Sequence, residues 1–240
     1  MKVVVINGSP KCDKGNTALI LTPFIDGMKN AGAKVHVFYP AKMNIKPCMG
    51  EYNCWFKTPG KCFQDDDMQE FLPELMGTEI LVLATPLYVD GMSGLLKNML
   101  DRIIPFADPI IELRDGHCRH PGRANVKNGK LVLVSNCGFW ELDNFDALVE
   151  HIRAIGRNIN MEYAGALLRP HGPALKGMMD QGMDMSNIFE AAKDAGRQLV
   201  KDGKFSPDTL KTVGRDLLSK EQYVTIVNKF INNALPKNDS

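Results

Sequence analysis

Five short β-rich runs, each leading into a stretch of helical spacing, leave this chain few ways to fold. The spacing predicts strands over 2–7, 33–39, 80–84, 130–136 and 160–167. Between them it predicts helices over 17–31, from 65–67 to about 77, over 91–104 and over 144–156. Ala18, Leu21, Ile25 and Met28 share one face of the first helix, and Gly32 is placed to end it. Asp65–Asp67 offers a cap for the second. Strands alternating with helices pair in parallel through right-handed crossovers. Five of them suit a doubly wound α/β sheet, and the order 2-1-3-4-5 needs no more. From Met185 onward the pattern is two or three helices, with Pro207 near the start of one. No linker precedes them. Residues 1–184 are therefore read as one α/β domain, and 185–240 as a C-terminal helical extension packed on it.

Charge and hydropathy remove several functions. At 44% hydrophobic and 24% charged, the 240 residues suit a globular chain with a full core. A formal charge of +1 gives no electrostatic reason to expect nucleic acid or an anionic membrane. It also argues against a pure electron carrier, which uses a strongly charged face to meet its partners. No apolar run approaches the roughly 18 residues of a membrane span. The start MKVVVINGSP is too soon broken for a secretory signal. A cytoplasmic location is expected, with the six cysteines as thiols, ligands or redox groups.

The first strand breaks into INGSPKCDKGNT, residues 6–17. It is not a Walker loop, because Asn16 stands where that motif needs lysine. A G-x-G-x-x-G dinucleotide fingerprint is also absent, as is an acidic residue ending the second strand. The loop nevertheless leaves the carboxyl end of a strand, where open α/β sheets bind ligands. Ser9, Asn16 and Thr17 bring donors, Lys11 brings charge, and a helix N-terminus carries about half a positive charge. A phosphate suits this turn. A polar βα turn with no ligand is the alternative.

Gly8-Ser9-Pro10-Lys11…Gly15-Asn16-Thr17, together with ATPLYVDGMSGLLKNMLDR (84–102) and SNCGFWE (135–141), resembles the NAD(P)H-dependent FMN reductases and their iron–sulfur flavoprotein relatives. The three stretches follow strands one, three and four, and the resemblance covers about the first 170 residues. It implies a flavodoxin-like fold, and FMN as cofactor with NAD(P)H as co-substrate. The ribityl phosphate would be held by Ser9, Pro10, Lys11, Asn16 and Thr17. Pro86, Leu87, Tyr88 and Val89 would lie beside the isoalloxazine, with Gly91 and Ser93 allowing close approach, and Asn136, Cys137, Gly138 and Phe139 would close its other side. Tyr88 has a core aromatic as its alternative reading, and Phe139 and Trp140 a staple for the following helix. The implied partners are a nicotinamide nucleotide, a small electron acceptor such as a quinone or free flavin, and a second copy in a homodimer. The competing reading is a flavoprotein electron carrier, or an iron–sulfur flavoprotein, without direct NAD(P)H oxidation.

Cys48, Cys54 and Cys62 occupy a segment where the iron–sulfur relatives begin C-x-x-C-x-x-C, but Glu51 takes the second position. A cubane cluster takes four thiolates. The segment therefore resembles the members without a cluster, and no metal site is assigned. The spacing also lacks the paired cysteines of zinc sites, with His36 or Glu51 as the only extra ligands to hand. HCRH (117–120) is read as a chance tetrapeptide. Cys137 is either reactive or merely small. Lys97 and Arg102 are expected to be exposed helix residues or dimer contacts. His36, His151 and His171 are dispersed, so no proton-transfer residue is named. Residues 105–129 form the longest irregular stretch, equally suited to a lid, a solvated insertion or a dimer contact.

Overall fold

A computed structural model describes residues 1–123 and 129–236. In its first half, Lys2–Asn7 (β1), Asn16–Asn30 (α1), Lys34–Phe38 (β2), Asn53–Phe56 (α2), Met68–Leu75 (α3), Ile80–Pro86 (β3) and Gly94–Asp101 (α4) follow in turn. A small hairpin, Glu112–Arg114 (β4) and His117–Arg119 (β5), comes next. Then come Lys130–Asn136 (β6), Asp146–Ile159 (α5), Glu162–Arg169 (β7) and Gly172–Asp180 (α6). Ser186–Asp202 (α7), Pro207–Gly214 (α8) and Lys220–Ala234 (α9) complete the described chain.

The main sheet runs β2-β1-β3-β6-β7 with every neighbour parallel, which is the expected 2-1-3-4-5 order among its five strands. Central β3 is buried along its whole length, as a strand covered on both faces must be. Period-two alternation sorts β1: Val3 and Val5 enter a core with α1 and α7, and Val4 and Ile6 enter one with α3, α4 and α5. Ile188, Ala192, Ala195 and Leu199 of α7 belong to the first of these cores. The first helix of the α/β pattern and the C-terminal helices α7 and α8 thus share apolar cover for one sheet face.

Within the expected cap 65–67 it is Asp66 that serves α3, its Oδ1 accepting from the Met68 amide at 3.1 Å while Asp67 accepts from the Asn44 amide. Two local differences from the sequence reading have physical causes. The stretch 105–129 holds the β4–β5 hairpin, and residues 124–128 of it lie outside the described residues. Arg102 corrects the expectation of an exposed side chain, being only 2% exposed. Its guanidinium pairs with Asp66 at 2.6 and 3.1 Å and donates to the Cys62 sulfur at 3.3 Å. A helix-end arginine buries when a carboxylate meets it, and Asp66 supplies that carboxylate from a loop 36 residues away.

Candidate functional site

The loops after β1, β3 and β6 leave the same carboxyl rim of the sheet, and hydrogen bonds join them pairwise. Thr17, in the first turn of α1, donates its hydroxyl to Asn136 Oδ1 at 2.5 Å, across 119 residues of sequence. Ser93 donates to the Gly8 carbonyl at 2.6 Å. The Leu87 amide donates to the Asn136 carbonyl at 2.8 Å. Three separate turns therefore form one rigid rim, at the place where doubly wound sheets bind ligands.

The expected site residues fall into two groups. Ser9, Thr17, Pro86, Ser93, Asn136 and Cys137 are buried, and Thr17, Ser93 and Asn136 make the bonds that hold the rim together. Ser93 is the N-cap of α4, accepting from the Leu96 amide at 3.3 Å, so its hydroxyl is fully used inside the protein. Cys137 is read as inert: burial pushes its thiol up, and its Sγ donates to the Phe139 carbonyl at 3.3 Å. Pro10, Lys11, Tyr88, Val89, Gly138 and Phe139 are exposed, and Asn16, Leu87 and Gly91 half-buried. Tyr88 is 49% exposed, which removes the core-aromatic alternative.

The first loop keeps donors in hand. Gly15, the N-cap of α1, has no side chain capping the first turn. Its first amides are thus left for an outside acceptor. A Cβ on Gly15 would stand 2.6 Å from Ser9 Oγ, so a larger residue there would turn that hydroxyl out of its present place. Beneath the loop, Asn7 accepts from the Ser9 amide at 3.0 Å but leaves its Nδ2 buried and unpartnered. Tyr39, hydrogen-bonded to Asp13 at 2.6 Å, is pushed up to about 12 by burial and by that carboxylate. It stays a neutral donor that steadies the turn.

The second loop is a two-residue turn. Tyr88 and Gly91 exchange both backbone hydrogen bonds, at 3.0 and 3.1 Å, around Val89 (φ +47°) and Asp90 (φ +57°). Both lie in the left-handed region that type I′ turns demand. Aspartate tolerates it, but a β-branched valine there is strained by about 1–3 kcal/mol. Val89 is also 99% exposed, so nothing inside the chain repays that strain. Asp90-Gly91 marks a turn in the sequence, but its left-handed start does not show there, because valine is among the residues least suited to it.

The third loop rests on His171, which the structure makes a structural group, and on Arg169 and Leu217, which the sequence reading did not single out. His171 (φ +40°) is fully buried and stacks near Trp140, with ring centroids 6.2 Å apart. Its Nε2 lies 3.0 Å from Arg169 Nη2 and accepts from the Leu217 amide at 3.2 Å. Burial, with the Arg169 charge beside it, pushes His171 down to about 4, so the ring is neutral near pH 7. These contacts span three elements, and no local pattern announces them.

A cavity of about 830 Å³ sits at the amino ends of the strands, against Met1, Ile80, Lys130 and Glu162. It is at the wrong end of a parallel sheet for the converging rim donors.

Residues 1–162 match the family described as NADPH-dependent FMN reductase. An iron–sulfur flavoprotein of Methanocaldococcus jannaschii is 33% identical over 105 residues, covering 44% of this chain and 53% of that protein. The chain thus spans about half the length of the curated relatives it matches. Among solved structures, an FMN-dependent NADH-azoreductase from Bacillus anthracis in complex with FMN superposes with a TM-score of 0.60 at 13% identity. That match covers 83% of this chain and 99% of the azoreductase. An NAD(P)H:quinone oxidoreductase from Methanothermobacter marburgensis gives 0.58 at 16% identity, covering 83% and 96%. At such identities the two structures share the fold.

Proposed function

Because the chain belongs to the NADPH-dependent FMN reductase family, we propose that it is an FMN-dependent oxidoreductase that takes electrons from NAD(P)H and passes them to a small acceptor such as a quinone or free flavin. The observation that carries this reading is the hydrogen-bonded convergence of three loops on one rim, with spare donors in the first.

The residues present fit FMN. The uncapped first turn of α1, the Ser9 hydroxyl, Asn16 and Lys11 suit a dianionic phosphate. The Thr17 hydroxyl is spent on Asn136, so Thr17 would serve through its backbone amide. Leu87–Gly91 and Gly138–Phe139 would flank the ring. Bound FMN supplies the hydride and electron transfer itself. The chain's part is to hold the ring, keep one face open to a nicotinamide and then to the acceptor, and exclude water from the reacting edge. His171 is occupied by structure and is assigned no proton transfer.

An iron–sulfur cluster does not fit, although several relatives are named for one. Glu51 stands for a thiolate, and burial pushes Cys54 up, with Cys62, Glu51 and Cys48 adding to the effect. Cys62 is bonded to Arg102, and the space among these groups is about 10 Å³, room for a single water. Among the described residues no group of three or more His, Cys, Asp or Glu is placed to hold a metal ion.

The test separates phosphate from ring. FMN is expected to bind at least a hundredfold more tightly than riboflavin, which lacks the phosphate, and Lys11→Glu should narrow that gap about tenfold. NADPH or NADH should then bleach the bound flavin without a partner protein. Equal affinity for the two flavins would refute the phosphate loop; a stable flavin colour in both nucleotides would refute the reductase and favour a carrier.

The reading includes a homodimer. Ile226, Phe230 and Ile231 on α9 are exposed, which supports an apolar contact there. Light scattering is expected to give twice the 26.6 kDa chain mass, and a single-chain mass would remove this part of the proposal.

A further inference from the structure

The segment 213–223 lies beyond the family match, yet it touches the loop after β6 at several points. Tyr223, in the first turn of α9, donates its hydroxyl to the Gly138 carbonyl. Trp140 Nε1 donates to the Leu218 carbonyl at 3.1 Å, and Lys220 pairs with Glu141. His171 donates its backbone amide to the Phe139 carbonyl at 2.6 Å, while its ring packs between Trp140 and Tyr223. Behind His171, Arg169 is fully buried and donates to the carbonyls of Pro170, Val213 and Arg215 at 2.6–2.8 Å. The guanidinium thus gathers the end of α8 onto the end of β7, and the histidine and tyrosine carry that order to the loop.

The direction of those bonds matters. In a trans peptide the carbonyl and the following N–H point opposite ways. With the Gly138 and Phe139 carbonyls drawn toward Tyr223 and His171, the amides of Phe139 and Trp140 face away from the protein body. Neither donates to any acceptor among the described residues.

We propose that Tyr223, backed by His171 and Arg169, is a positioning residue that aims the Phe139 and Trp140 amides at the acceptor edge of the flavin, so that the C-terminal segment tunes the cofactor's reduction potential. This rests on the FMN reading above. Reduction places electrons in the pyrimidine part of the ring, and fixed donors there favour the reduced, more electron-rich form. Loosening the donors should weaken binding of reduced FMN more than of oxidised FMN.

The experiment is a spectroelectrochemical titration of the FMN-loaded protein with Tyr223→Phe, alongside the dissociation constant of oxidised FMN. The preference for reduced over oxidised FMN is expected to fall about tenfold, which lowers the two-electron midpoint by about 30 mV. Trp140→Phe keeps an aromatic ring on His171 but removes the bond to Leu218, and should shift the midpoint in the same direction by less. It decides the matter if Tyr223→Phe does not fold. Wild-type midpoints in the variants overturn the proposal while leaving FMN binding intact. A wild-type chain that takes up no FMN, or prefers it no more than riboflavin, overturns the underlying reading and this inference with it.

Discussion

Arg102→Met is expected to destabilise the fold by about 3–5 kcal/mol, because it leaves the Asp66 carboxylate buried without its cation. The two side chains are 1% and 0% exposed, so water cannot take over the lost bonds. Adding Asp66→Asn should recover part of the loss, because it removes the buried charge; its single carbonyl oxygen keeps only one of the Lys46 and Met68 amides, now bound to separate carboxylate oxygens at 3.0 and 3.1 Å, so recovery is incomplete. A double-mutant cycle by urea denaturation measures the coupling. A loss below about 1 kcal/mol for Arg102→Met, in the range of surface pairs, would show that the pair is solvated.

The pair also has a pH signature. Burial alone would raise Asp66, but the Arg102 hydrogen bond and two backbone amides outweigh it and hold the carboxyl below its ordinary value. A carboxyl lower in the folded state contributes stability above its unfolded value and loses it as pH falls through the folded one. The gap between wild type and Arg102→Met should therefore be widest near neutral pH and close in acid.

Arg102 also marks the limit of what a sequence shows. Its place at the end of a charged helix, five residues after Lys97, reads as solvent-facing, and for Lys97 that is right, with Asp101 as its exposed partner. What buries Arg102 is a carboxylate in an irregular loop, and irregular loops have no period to read. The strands were legible for the opposite reason: β1 and β6 have the bounds their β-rich runs predict, and the sheet order follows from alternation with helices. The candidate rim was half legible. Gly8-Ser9-Pro10 and Gly15-Asn16-Thr17 announce a turn by composition, whereas the bond from Thr17 to Asn136 depends on β1 and β6 first assembling on either side of β3. The clamp of Arg169, His171 and Tyr223 was invisible for the same reason, since its parts meet only after β7, α8 and α9 have packed.

Gly27→Ala is expected to destabilise the protein by at least about 3 kcal/mol, the upper end of what overpacking costs. Elsewhere in an exposed helix the same change would add stability, because alanine is the better helix former by roughly 1 kcal/mol. Here a Cβ would lie 1.8 Å from the Lys193 carbonyl oxygen of α7, a backbone atom that no rotamer can move aside. Gly196 faces it: its Cβ would stand 2.1 Å from the Phe24 carbonyl oxygen and 2.8 Å from the Met28 amide nitrogen of α1. The two helices cross backbone to backbone, and relief requires their separation, which opens the core shared by Phe24, Met28, Ala192 and Ala195. Gly196→Ala should therefore cost as much as Gly27→Ala. The double variant should cost less than the two together, since one separation relieves both overlaps. Thermal and urea unfolding of the three variants checks this. Additive losses, or a neutral Gly27→Ala, would mean that α7 stands off from α1, and that residues 186–202 cover the sheet less closely than the glycine pair demands.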